Sequence, residues 1–133
     1  MTSTAEEFPL VSGEQVVAAR QQVRRRAVEA GFSLVDQTKV VTAASELARN
    51  TIQHGGGGVM RLEVLVEGTR RGLRLAFRDS GPGIADLDRA MKDGYSTAGG
   101  LGLGLSGSKR LSHEFSIQSS VGQGTTVTIT RWK

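Results

Sequence analysis

Cysteine is absent from the 133 residues, which excludes disulfides and thiolate metal sites and fits a reducing cytosol. No apolar run approaches the ~18 residues a membrane span needs. The N-terminus, Met-Thr-Ser-Thr-Ala-Glu-Glu, has neither a basic n-region nor an apolar h-region. These absences predict a soluble, cytoplasmic protein. Aromatic residues are scarce, at 5%. That bears on the net charge of +4 and on two arginine clusters, Arg20, Arg24, Arg25, Arg26 and Arg70, Arg71, Arg74, Arg78. Such clusters occur in nucleic-acid binders, but they lack the series of interleaved aromatics that a stacking platform for bases requires. A solvated face, or a docking surface for an acidic protein, is expected instead. No linker or repeat divides the chain, so 1–133 reads as a single domain.

Glycine is what the chain has in quantity. Gly99, Gly100, Gly102, Gly104 and Gly107 fall within nine positions, a density that lets backbone N–H groups approach a ligand unobstructed. Leu103, Leu105 and Leu111 supply a helical apolar face just beyond. The run therefore feeds a helix N-terminus whose free amides suit an anion, and a nucleotide phosphate chain is the expected one. Gly102-x-Gly104-x-x-Gly107 fits the dinucleotide pattern but lacks its preceding strand and its acidic residue about 20 positions on. P-loop spacing also occurs, with Ser108 and Lys109 in the wrong order. Neither motif is adopted.

Phe8-Pro9-Leu10-Val11 reads as a short edge strand, where a sheet tolerates proline. A helix opening at Ser12 or Gly13 has apolar positions Val16, Val17, Ala19, Val23, Ala27 and Val28, and stops at Gly31. The next starts near Asp36 with the stripe Val40, Val41, Ala44, Leu47, Ala48 and Ile52. Gly55 to Gly58 end it in a stretch too permissive for a tight turn. Strands are expected over 59–66 and 73–78, turning through 68–72, and over 115–121 and 125–132 around a hairpin loop at 122–124. That order predicts an α+β class, a mostly antiparallel sheet with helices on one face.

Two further constellations carry chemistry. Glu46 and Asn50 are four residues apart on one helix face, with His54 a turn beyond. A carboxylate beside an amide oxygen suits Mg²⁺, which takes few protein oxygens and the rest from water and phosphate; a solvated polar face is the plainer reading. Asp79 ends a strand and is followed by Gly81-Pro82-Gly83. That is strong turn chemistry in any case, but the carboxylate can also accept from the exocyclic amine of adenine.

With these residues in view, Glu46 to His54 resembles the N box of the GHKL superfamily. These Bergerat-fold ATPases include histidine-kinase catalytic domains and the chaperone and gyrase nucleotide sites. Asp79 to Gly83 resembles the G1 box, Gly100 to Leu105 the G2 box, and Gly124-Thr125-Thr126-Val127 the closing Gly-Thr strand, all in family order. Within the superfamily, residues 31–38, 45–50, 93–97 and 130–133 are similar to the RsbT-like serine/threonine kinases of bacterial partner-switching pathways. The resemblance implies a two-layer α/β sandwich and an ATP site. In it Glu46 is the general base, Asn50 holds Mg²⁺, and Asp79 binds the adenine amine with Gly81, Gly83 and Thr125 around it. Gly100, Gly102 and Gly104 wrap the phosphates, and Lys109 or Arg110 stands ready to neutralise them.

The reaction implied is transfer of the γ-phosphoryl group to a STAS-domain antagonist protein. The released kinase then activates a PP2C-type phosphatase. An anti-sigma factor kinase that binds a sigma factor, and a non-catalytic ATP-gated module, share the same motifs. Ser106, Ser112-His113 and His54 depart from the RsbT-like pattern, which leaves the partner's identity open.

Overall fold

Ser12 begins the first helix by chemistry visible in the sequence. Its hydroxyl accepts the N–H of Gln15, and the Gln15 side chain returns to accept the N–H of Ser12, a reciprocal capping box. A computed structural model of the chain describes residues 2–86, 91 and 105–133. In chain order its elements are β1 (Thr2–Leu10), α1 (Gly13–Glu29), α2 (Leu34–Gln53), β2 (Gly58–Glu67), β3 (Arg70–Asp79), α3 (Leu105–Arg110), β4 (Glu114–Ser120) and β5 (Gly124–Trp132). The strands form one antiparallel sheet in the order β1-β2-β3-β5-β4.

β1 lies at an edge, as Pro9 requires, but it runs well beyond the four residues expected and pairs with β2 from Gly58 to Val66. α1 stops where Gly31 takes φ +86°. There the N–H of Phe32 reaches the carbonyl of Ala27 and that of Gly31 reaches Val28, the paired bonds of a Schellman ending. α2 starts two residues before Asp36, because the Ser33 hydroxyl accepts the N–H of Asp36 and so takes the cap. The hairpin between β2 and β3 is tighter than expected. Glu67 pairs with Arg70, leaving only Gly68 (φ +62°) and Thr69 to turn, and the strand takes in Arg70 to Gly72.

α1 and α2 pack together over one face of the sheet. Val16, Ala19, Val23 and Ala27 of α1 and Val40, Val41, Ala44, Leu47 and Ala48 of α2 are buried there against Met60, Leu62, Leu73, Leu75, Phe77, Val127 and Ile129. Val17 and Val28, expected in the apolar stripe of α1, are exposed. A single layer of helix on sheet needs only a narrow seam, and these two lie beyond it. Arg131 on β5 reaches Asp36 at 2.7 Å and so ties the start of α2 to the sheet; the arginine holds that carboxyl below its usual range.

On the opposite face, Gly72 has no side chain and Trp132 lies over it, so a Cβ there would stand 2.7 Å from the indole. Arg70 stacks on the indole at 3.8 Å, and the indole N–H of Trp132 donates to Glu114 at 3.0 Å. His113, after α3, accepts the Trp132 backbone N–H through Nδ1 at 2.9 Å, so it secures the end of the last strand.

Candidate active site

β3 ends at Asp79, and its own turn, the start of β5 and the exit of α2 meet around its carboxylate. Oδ1 accepts the N–H of Gly81 at 2.9 Å and the N–H of Thr125 at 3.2 Å. The acid thus closes its own turn and also holds the start of β5. From the other side comes Gly55, just past the α2 cap residue His54. A Cβ on Gly55 would lie 2.3 Å from the Asp79 Cγ and 2.4 Å from Oδ2, so glycine is required for this approach. Gly124 (φ +86°) passes the Asp79 carbonyl so closely that a Cβ would stand 2.2 Å away. Gly81 rests on Gly55, and Gly83 rests on Ser120, in the same manner.

The four glycines after α2 are therefore not slack. Gly55 admits the carboxylate, Gly56 and Gly57 take positive φ, and Gly58 starts β2 against the carbonyl of Arg78. Three of their amides are used to finish the helix: Gly55 bonds the carbonyl of Asn50, Gly56 that of Ile52, and Gly57 that of Thr51. A run that looked permissive is a tightly specified helix stop.

Asn50 sits one turn before this junction, half-buried, with its carbonyl accepting from His54 at 2.9 Å and from Gly55 at 3.3 Å. Glu46 lies a further turn back, partly exposed, and pairs with Arg49 at 2.5 Å. Both side chains offer oxygen donors from one face of α2. Among the described residues no cluster of three or more His, Cys, Asp or Glu could hold a metal. A cation here would take one or two protein oxygens and complete its shell from phosphate and water, which is the habit of Mg²⁺. Burial pushes the His54 imidazole below its usual range, and Nε2 is buried with no partner among the described residues.

Thr125, at the start of β5, is half-buried, and its hydroxyl lies 2.8 Å from that of Ser119 on β4. The Ser119 hydroxyl also accepts the N–H of Ile84 at 2.7 Å, which fixes the end of the Gly81–Gly83 turn. Sequence reasoning missed Ser119 and Gly55. Ser119 joins the site only through the pairing of Ser119 with Thr125 across the hairpin, and no motif marks it. The structure thus brings together Asp79, Gly81, Gly83 and Thr125 at the end of α2 that carries Asn50. Gly100, Gly102 and Gly104 lie outside the described residues. Gly107 falls within α3, and Lys109 and Arg110 end that helix, both exposed.

The arginines of the first cluster are divided in use. Arg26 pairs with Glu6 and Glu29, tying α1 to β1, whereas Arg20 and Arg24 face Arg49 across a groove of about 360 Å³ between α1 and α2. Thr38, Val41, Thr42 and Ser45 complete its wall.

Comparison with known proteins adds four findings. Residues 35–133 match the family described as histidine kinase-, DNA gyrase B-, and HSP90-like ATPase. The chain is 47% identical over 117 residues to the serine/threonine-protein kinase RsbT of Bacillus subtilis, covering 88% of each. It is 32% identical over 102 residues to an anti-sigma F factor of Anoxybacillus flavithermus, covering 71% of this chain and 68% of that one. Among solved structures, the RsbU and RsbW domains of a Mycobacterium tuberculosis protein superpose with a TM-score of 0.63 at 19% identity. That match covers all of this chain and 33% of that one, and it speaks to the fold alone.

Proposed function

The chain belongs to the family of histidine kinase-, DNA gyrase B- and HSP90-like ATPases, and on that premise we propose that it is an ATP-dependent serine/threonine protein kinase of a partner-switching pathway. The observation that carries this reading is the 47% identity, over 88% of both chains, to a protein named as such a kinase. The geometry is of a kind that chemistry can use. Asp79 is anchored through Oδ1, which leaves Oδ2 to receive the exocyclic amine of adenine. Gly81, Gly83 and Thr125 form the surrounding wall. Asn50 would hold Mg²⁺, which neutralises phosphate charge when bound. Gly100, Gly102 and Gly104 complete the reading as the loop around the phosphates.

Glu46 is the general base in this scheme. A serine or threonine hydroxyl of the protein substrate attacks the γ-phosphorus, the bond from phosphorus to the β–γ bridging oxygen breaks, and ADP departs. The hydroxyl proton passes to the Glu46 carboxylate. Positioning and electrostatics supply most of the rate in such transfers. Arg49 holds one Glu46 oxygen, so the second is available for the proton.

The substrate we assign is a STAS-domain antagonist, with a PP2C-type phosphatase as the target of the released kinase, acting in the cytoplasm as a single domain. The arginine-lined groove between α1 and α2 supports docking of an acidic protein surface. Incubation with labelled Mg-ATP and candidate antagonists tests the reaction directly. Wild-type protein transfers label to a serine or threonine. Glu46→Ala abolishes transfer and leaves ATP affinity within about threefold, as expected for a group that acts only in the chemical step. Label transfer undiminished in that variant refutes the assignment of the base. A sigma factor as the main protein captured would favour the anti-sigma reading, which the 32% identity to an anti-sigma F factor motivates.

A further inference from the structure

Arg20, Arg24 and Arg49 line the groove between α1 and α2, and no acidic residue shares its wall. Arg20 and Arg24 pair with no carboxylate among the described residues; Arg24 reaches the Gln37 amide oxygen at 3.4 Å. Unopposed positive charge of that kind is complementary to a carboxylate brought from outside. Arg49 differs from the other two, because it stands between two faces of α2. At about 100° per residue, its side chain leaves the helix about 40° from Ser45, on the groove side, and about 60° from Glu46, on the other. Its Nη2 donates to Glu46 Oε1 at 2.5 Å. A guanidinium carries five N–H groups in a planar fork, and those on Nη1 and Nε have no partner among the described residues. With the two side chains 47% and 40% exposed, the pair alone is too weak to hold the Glu46 carboxylate in one geometry.

We propose that Arg49 is a positioning residue that couples docking of the protein substrate to the general base. A carboxylate of the substrate enters the groove, binds the free side of the Arg49 guanidinium, and so fixes the Glu46 carboxylate held on the other side. The inference rests on the kinase reading above and adds how that site is regulated. Gripped between two carboxylates, the planar fork loses its rotamer freedom. Glu46 is then ordered only when a substrate hydroxyl is at hand to give up its proton. Arg20 and Arg24, on α1, serve docking alone.

The test is steady-state label transfer from Mg-ATP by the full chain to whichever candidate antagonist takes up label, with calorimetry of ATP binding beside it. Arg20→Gln is expected to raise KM for the antagonist about tenfold and leave kcat within about twofold, as for a contact made equally in ground and transition states. Arg49→Gln raises KM to a like degree and also lowers kcat about tenfold, a part of what a positioned base supplies. Its ATP affinity stays within about twofold, which separates the effect from misfolding. Arg49→Lys keeps the charge but not the planar fork, so it recovers KM and leaves kcat low. An Arg49→Gln variant in which KM and kcat do not both change severs docking from the base; it overturns the inference and leaves the kinase reading standing. Arg20→Gln with an unaltered KM does the same, because the groove then takes something other than the protein substrate. Wild-type protein that labels no candidate overturns the kinase reading itself, and the inference with it.

Discussion

Replacing Gly55 by alanine isolates the contact on which the proposed base site depends. Gly55 does not occupy the left-handed region, so alanine adds no backbone strain and only the new methyl matters. That methyl would stand 2.3 Å from the Asp79 Cγ, where ordinary contact begins at 3.4 Å. The carboxylate must therefore withdraw by the difference, about 1.1 Å. Gly81, which could yield, is itself seated on Gly55, with a notional Cβ 2.7 Å from the Gly55 Cα. Withdrawal on that scale stretches one or both of the 2.9 and 3.2 Å bonds to Oδ1 to about 4 Å, beyond hydrogen-bond reach.

A hydrogen bond to a charged group contributes about 1.5–3 kcal/mol. Gly55→Ala is accordingly expected to lower folding stability by about that amount in a urea titration. The same shift of Oδ2 is expected to weaken ATP about ten- to hundredfold in calorimetry. The cause is identified by a cycle with Asp79→Gly. Once the carboxylate is gone, the alanine has nothing to strike and its stability cost falls close to zero. An alanine variant that binds ATP within twofold of wild type, or that costs as much stability without Asp79 as with it, refutes the reasoning.

Burial holds the folded-state pKa of His54 below the unfolded 6.5, so as pH falls the unfolded chain takes up the proton first. The His54 contribution is therefore complete above 6.5 and lost as the pH drops through the folded value. Urea stability is expected to decline between pH 7.5 and 5.5, and His54→Gln is expected to flatten that decline. Arg131→Met leaves Asp36 without its partner at the start of α2, a cost of about 1–3 kcal/mol in the same titration. In that variant the loss of stability on acidification through the carboxylate range is smaller, because Arg131 is the chief cause of the lowered Asp36 pKa.

Local signals were legible in proportion to how local their physics is. The cap at Ser12, the stop at Gly31 and the buried stripe Val40, Val41, Ala44, Leu47 and Ala48 each follow from a few neighbouring residues, and each stands where the sequence places it. Val17 and Val28 misled because periodicity marks a face but not its width, which the sheet beneath decides. Asp79 could be read as a strand end followed by a turn. That Gly55 abuts it could not, because the contact exists only after α2 has been laid on the sheet. Ser119 is hidden more deeply still: its role needs the β4–β5 register, and a one-residue slip would turn it to the other face. The whole Glu46–Asn50 face is plain from the spacing, whereas the pairing of Glu46 with Arg49 is one of several choices open to an exposed carboxylate.

Trp132 is the chain's single tryptophan, and its berth above Gly72 gives the protein a built-in fluorescent lamp. Gly72 and Asp79 are seven residues apart on one strand, about 23 Å at the usual rise. Emission from the indole, gripped between a stacked guanidinium and the Glu114 carboxylate, therefore reports on the far end of the sheet and is blind to events around the carboxylate of Asp79. A change in that light on adding a protein partner would mark engagement near the chain's last residues, separable in the same cuvette from anything nucleotide does.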